Sequence, residues 1–216
     1  MSKPYLQFES ITKTFPGVKA LDAVSFTVGE GSSRALIGEN GAGKSTLLKV
    51  LSGVYRPDDG RTILDGRPRA FQSPMEAIRA GVAVIYQELH LVPDMSVGEN
   101  LLLGHMPTRF GIVNKRTLRE AALRQLKNLE EDIDPSSKVG ALPIAQRQMV
   151  EIAKALIRDA KIIAFDEPTS SLSDREVRKL FAVIRQLRDR GRAIIYVSHR
   201  MEEIFHVADD LVILRD

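Results

Sequence analysis

The period of the apolar positions changes along the chain, and each change marks an element. Leu6, Phe8 and Ile11 form a short apolar run that Pro16-Gly17 ends. Val24, Phe26 and Val28 alternate with Ser25 and Thr27, the two-residue period of a half-buried strand. Arg34 to Ile37 reads as a short buried strand stopping at Gly38. A helical pattern opens near Lys44, with Leu47, Leu48, Val50 and Leu51 apolar, and stops at Gly53. Pro57-Asp58-Asp59-Gly60 signals a turn before a strand at Thr62 to Leu64, and Gly81 to Tyr86 is a further buried strand.

The period then lengthens. Residues 96–131 carry helical patterns, clearest where Leu118, Ala122, Leu126 and Leu129 recur at three- and four-residue spacing. After a loop at Asp134 to Ser137, Ile144 to Ile157 is amphipathic. Strands at Lys161 to Phe165, Ala193 to Val197 and Leu211 to Leu214 alternate with helices at Arg175 to Arg190 and Met201 to Ala208. Strand–helix alternation at both ends predicts a parallel α/β core, and the mainly helical middle, about 90–145, reads as an insertion.

Composition narrows the class. The chain has 216 residues, 44% of them apolar and 27% charged, enough for a hydrophobic core and unlike a disordered chain. The net charge of +3, with acidic and basic residues interleaved, predicts no nucleic-acid partner. With no cysteine there is no disulfide, thiolate metal site or Cys nucleophile. Met1 to Glu9 lacks the apolar run of a signal peptide, and no apolar stretch is long enough to span a bilayer. The stop at Asp216, directly after a strand, predicts one domain of a longer protein.

One segment carries specific chemistry. Gly38-Glu39-Asn40-Gly41-Ala42-Gly43-Lys44-Ser45 fits G-x-x-x-x-G-K-[ST] between a predicted strand and a predicted helix. Its glycines let backbone N–H groups converge on phosphate oxygens, and the helix adds its positive end. Lys44 would reach the β- and γ-phosphates and Ser45 would ligate Mg²⁺. A glycine-rich turn is the plain alternative, and the strand–loop–helix context weighs against it.

Ile162 to Asp166 is an apolar strand ending in a carboxylate, where a second Mg²⁺-coordinating acid belongs. Taken alone, many buried strands end in Asp. Glu167 could hold and deprotonate a water, or be a solvated loop acid. Gln87 could touch Mg²⁺ or the water without adding charge, and His199 could bond a γ-phosphate. Either could equally be a surface or structural residue. His90, His105 and His206 read as ordinary.

In this order the motifs resemble the ATPase subunit of ABC transporters, and within it the first ATPase half of the fused monosaccharide importers. The likeness covers essentially the whole chain. It includes Lys13 to Leu21, Tyr86 to Pro93, Gln148 to Leu156 and Ser198 to Phe205. The resemblance implies a P-loop NTPase (RecA-like) core with an N-terminal antiparallel β-subdomain and an inserted helical subdomain, all within 1–216. It implies that ATP is held by Phe15, stacking on adenine, and by Gly38 to Ser45 with Thr46. Mg²⁺ would be held by Ser45, Gln87 and Asp166. It further implies Glu167 as catalytic base, Gln87 as the Q-loop glutamine, His199 as the switch histidine, and Ser170 to Ser173 as the D-loop.

The implied partners are a second ATPase half, membrane permease subunits and, indirectly, a periplasmic sugar-binding protein. The implied place is the cytoplasmic face of the cell membrane. The implied sugar is L-arabinose, with ribose, xylose and galactose as alternatives. Two departures stand out. The signature loop, usually Leu-Ser-x-Gly-Gln, reads Leu142-Pro143-Ile144-Ala145-Gln146. It lacks a hydroxyl donor and a glycine, so the composite site that uses it is expected to be slow or silent. Pro143 is expected at a first helical position, where proline is tolerated. Ser173 replaces the usual D-loop Asp. The rivals are a non-transport ABC ATPase and a nucleotide-binding module that does not hydrolyse ATP.

Overall fold

The computed structural model describes residues 4–109 and 111–215, so Met1 to Lys3 and the closing Asp216 of the sequence reading lie outside it. The chain divides into two units. The first comprises 1–87, 160–168 and 177–216, the second 88–159 and 169–176.

In the first unit the most continuous apolar runs become the centre of a parallel sheet. Its strands are β3 (Ser33–Ile37), β6 (Val82–Ile85), β9 (Ile162–Asp166), β10 (Ala193–Val197) and β11 (Asp210–Ile213), in the order β11-β3-β10-β9-β6. β9 and β10 lack polar alternation because both sheet faces are covered. On one face Ile162, Ala164, Ala193, Ile195 and Val197 join the core with Leu47, Leu48 and Leu51 of helix α1 (Lys44–Leu51). On the other, Phe165 and Tyr196 meet at 6.4 Å between ring centroids, and Phe181 stands edge-on to Tyr196 at 6.3 Å.

The same core extends into an antiparallel sheet of order β2-β1-β4-β5, from β1 (Pro4–Phe15), β2 (Val18–Gly29), β4 (Asp59–Leu64) and β5 (Arg67–Arg69). Leu6, Phe8, Ile11, Phe26 and Val28 supply its inner face. The turn at Pro57 to Gly60 ends earlier than its residues predict. Asp58 N–H already donates to Thr12 O at 2.8 Å, which draws the chain alongside β1. Helix α2 (Pro74–Arg79) is an element the hydrophobic pattern did not predict. Its Ser73 side chain accepts from Glu76 N, with Pro74 in the first turn.

The second unit holds α3 (Val97–Leu101), a hairpin of β7 (Thr108–Arg109) and β8 (Ile112–Val113), α4 (Lys115–Asn128), a 3-10 turn (Val139–Ala141) and α5 (Ile144–Ile157). Leu118, Ala122 and Leu126 are buried on α4, as their spacing predicts. Asn100, fully buried, ties the preceding loop to α3: Oδ1 accepts from Val92 N at 2.8 Å, and Nδ2 donates to Val92 O and Ser96 O at 3.0 Å each. The unit runs past the 90–145 range read from the sequence, because α5 packs on α3 and α4. Helix α6 (Asp174–Asp189) belongs to the first unit from residue 177 onward, and α7 (Met201–Val207) lies wholly in it.

Candidate functional site

Four adjacent strands of the parallel sheet deliver the site. The glycine-rich loop follows β3, Ser198 and His199 follow β10, Asp166 ends β9 and Gln87 lies just beyond β6. All arrive at carboxyl ends, where open parallel sheets place ligand crevices. A cleft of about 390 Å³ is lined there by Asn40, Gly41, Gly43 to Thr46, Gln87, Asp166 and Glu167.

The loop keeps its shape through backbone conformations that side chains oppose. Gly41 and Gly43 have φ of 99° and 88°, left-handed values that an L residue adopts only with strain. A Cβ at Gly43 would also press into the Ala20 carbonyl oxygen. Lys44 folds back along the loop: its Nζ donates to Gly38 O at 2.7 Å and Glu39 O at 2.8 Å. α1 then opens at Gly43, an N-cap residue with no side chain to occupy its first-turn N–H groups.

Facing the loop, Ser45 Oγ donates to Asp166 Oδ2 at 3.4 Å. Burial, and after it the charge of Glu167, hold the Asp166 carboxyl above its ordinary pKa. Ser45, Lys44 and Lys49 pull the other way without cancelling this. The buried Asp166 carboxylate is thus poorly solvated beside a second acid, and a cation would relieve both effects. Glu167 has φ of 47°, an unfavourable left-handed backbone for a glutamate, held by its N–H donating to Val197 O at 3.0 Å. Its Oε1 lies 3.2 Å from His199 Nδ1. The Glu167 side chain is 22% exposed and that of His199 67%, so the pair spans from a shielded acid to a solvent-facing ring.

The structure therefore gathers the glycine-rich loop, Gln87, Asp166, Glu167 and His199. Gly38, Glu39, Ala42 and His199 line a neighbouring hollow, while Gly38 and Glu39 turn their carbonyls to Lys44. Phe15 does not line the cleft. It packs edge-on against Tyr55 at 5.3 Å, with Lys13 Nζ 5.6 Å from its ring centroid.

Leu142 to Gln146 belong to the second unit, at the start of α5. Pro143 stands one step before the helix, at the N-cap, and not at the first helical position expected from the sequence. Its fixed φ suits the extended N-cap, and its carbonyl accepts from Arg147 N at 3.0 Å. Ser173 precedes α6, and both its N–H and Oγ–H donate to Glu176 Oε2, at 2.8 and 2.7 Å. That serine starts a helix, a use the S-x-x-E spacing could have signalled.

Sequence reasoning missed two supports. The Tyr86 hydroxyl lies 2.7 Å from Ser52 Oγ, which pins the end of β6 beside Gln87 to the end of α1. Glu203, buried, accepts from Tyr196 on β10 and from Ser198, the residue just before His199. A lone tyrosine and a helix glutamate carry no local signal for such contacts.

A family model described as ABC transporter matches residues 21–170. The arabinose import ATP-binding protein AraG of Pseudomonas fluorescens (strain Pf0-1) is 57% identical over 211 residues, 98% of this chain and 41% of that protein. Its namesake from Escherichia coli O157:H7 is 59% identical over 215 residues, 100% of this chain and 43% of that protein. The chain thus spans about two fifths of the length of these curated relatives. Among solved structures, a nucleotide-free ATP-binding cassette from an ABC transporter has a TM-score of 0.85 at 28% identity, covering 98% of this chain and 88% of that one. A cassette solved in its ADP conformation has the same TM-score and identity, covering 99% and 88%. The α/β P-loop NTPase class expected from the motifs agrees with these neighbours. With the matched stretch running from β2 through the glycine-rich loop to Asp166 and Glu167, the chain belongs to the ABC transporter family.

Proposed function

We propose that this chain is the ATP-binding and ATP-hydrolysing part of a monosaccharide importer, with L-arabinose as the sugar. The observation that carries the reading is the convergence of the glycine-rich loop, Asp166 and the Glu167–His199 pair on one cleft. Relatives covering nearly all of this chain are named for arabinose import, which supports the choice of sugar.

Gly38 to Thr46 cradle the triphosphate through backbone N–H groups, and Lys44 adds a point charge. Phe15 offers its ring to the adenine. Mg²⁺ fits the residues present. Ser45 and Asp166 are neighbouring oxygen donors with Glu167 beside them, Gln87 adds a neutral one, and phosphates complete the set for a metal that keeps few protein ligands. Bound there, it would neutralise phosphate oxygens. Glu167 accepts a proton from water as the water oxygen bonds the γ-phosphorus. The bridging bond breaks, and ADP and inorganic phosphate leave. His199 holds Glu167 and supports the γ-phosphate.

The chain acts as one ATPase domain over 1–216, with a helical subdomain that includes the 90–145 stretch and α5. It works with a second ATPase half, permease subunits at the cytoplasmic face of the membrane and, through them, a sugar-binding protein. Among the described residues no helix is long and apolar enough to cross a membrane. A second reading, a nucleotide-holding half with weak hydrolysis, draws on Pro143 and Ala145. Neither can donate a hydroxyl, and α5 opens without a side-chain cap.

Steady-state ATP turnover of the native full-length protein against Glu167→Gln tests the reading. A loss of about a hundredfold with ATP still bound is the expected result. Unchanged turnover would leave this half as a nucleotide holder.

A further inference from the structure

Behind His199 lies a buried acid that the reaction does not use directly. Glu203, on the first turn of α7, is 3% exposed. Its Oε2 accepts from Tyr196 Oη at 2.9 Å and from Ser198 Oγ at 2.8 Å. Its Oε1 is 2.8 Å from Arg200 Nη1. Ser198 Oγ in turn accepts from Arg200 N at 3.1 Å. The residues immediately before and after His199 are therefore tied to the same carboxylate, and that carboxylate is tied to β10 through Tyr196. His199 is the one member of the turn whose side chain points away, to Glu167.

α7 has no side-chain cap of its own at Arg200, so this network is what closes the turn. A buried carboxylate with hydroxyl and guanidinium donors is satisfied and rigid. Removing its charge would leave Arg200 and two hydroxyl groups to find new partners, and the backbone at 198–200 would lose its anchor.

We infer that Glu203 is the positioning residue of the His199 turn, holding the imidazole at the distance from Glu167 at which the pair acts. This rests on the proposed role of His199. Glu203 is buried and does not line the cleft. Its loss should lower kcat and leave ATP binding alone, whereas a merely structural residue would affect both together.

The test is a double-mutant cycle in the native full-length protein. It reads kcat and KM for ATP, nucleotide affinity by a fluorescent ATP analogue, and the melting temperature. Glu203→Gln is expected to lower kcat about tenfold, with KM and analogue affinity within about twofold. Glu203→Asp should recover part of the loss. In a His199→Ala background, Glu203→Gln should cost nothing further, because the turn no longer carries an imidazole. Should Glu203→Gln fail to fold, Ser198→Ala removes only the link among 198, 200 and 203 and should lower kcat about threefold with the same unchanged KM. Unchanged kcat in the folded variants, with His199→Ala impaired, overturns the inference alone. Additive losses in the cycle also overturn it. Full activity of His199→Ala overturns the reading of His199, and the positioning role with it.

Discussion

Two of the turns whose N-cap residue does not cap the helix that follows compare directly: Gly38 to Gly43 before α1, and Leu142-Pro143 before α5. In both, the N-cap residue, Gly43 or Pro143, has no side-chain oxygen to offer the first-turn N–H groups. The helices α2, α3 and α4 instead take caps from Ser73, Ser96 and Asn114. The resemblance is confined to that. In the first turn two glycines in the left-handed region curl the backbone into a concave cradle, and Lys44 and Ser45 follow at once. In the second, Pro143 keeps an extended backbone (φ −55°, ψ 154°) and adds neither donor nor curl. The contrast teaches that a helix N-terminus supplies direction and a partial charge, while glycine geometry and the flanking side chains supply the site.

The strongest way to break this comparison is to stiffen the first turn. Gly43→Ala places a Cβ against the Ala20 carbonyl at a φ of 88°, and should cost about 3 kcal/mol. Denaturant unfolding and fluorescent-nucleotide titration should show reduced stability and lost binding. Gly41→Ala, with nothing near its Cβ, should lose only about 1–2 kcal/mol, from φ alone. Equal losses at the two sites would mean that the cradle is not set by crowding at Gly43.

Asp166→Asn asks whether the acid facing the first turn trades stability for function. Turnover should fall about a hundredfold, yet the nucleotide-free protein should melt at a higher temperature at pH 7. Burial and then Glu167 raise the Asp166 pKa in the folded protein. A group so shifted favours the native state below its unfolded pKa, and that contribution is lost as pH rises through the native value. The advantage of Asn is therefore largest above the native pKa and shrinks toward acid. A melting-temperature difference that grows on acidification would refute this.

Pro143→Ser with Ala145→Gly gives the second turn the residues usual in its family. Turnover of the full-length protein should rise by about threefold or more if this turn limits its composite site. No change would mean that α5 presents its N–H groups adequately as it stands. The smallest effect is expected from Ser173→Ala, which removes a helix start worth about 1 kcal/mol and should leave turnover within about twofold. A large loss of turnover with unchanged stability would give Ser173 a role beyond capping.

Much of this was legible in residue order. The strands at 33–37, 162–166 and 193–197 announce themselves as apolar runs, because a doubly covered parallel strand has no polar face. The glycine-rich loop announces itself because its chemistry needs glycines, Lys44 and Ser45 at fixed spacing. Short polar elements were harder to see. β5, α2 and the β7–β8 hairpin are too brief for a period to emerge, although Ser73-Pro74 with Glu76 carried a readable helix start.

By itself, then, the sequence determined the class of fold, the phosphate-binding loop and the identity of the acids that could serve it. Each of these is written in local spacing or in the period of burial. Only the tertiary structure decided which of those residues meet. It brought Ser45 within 3.4 Å of Asp166 across 121 positions, set His199 against Glu167 across 32, and left Phe15 outside the cleft lining. It also decided that Asp166 resists ionisation and that Glu203 closes the turn behind His199. The physical reason is that charge, burial and hydrogen bonding act through space. Strand order in the sheet, which no local pattern encodes, sets the distances over which they act.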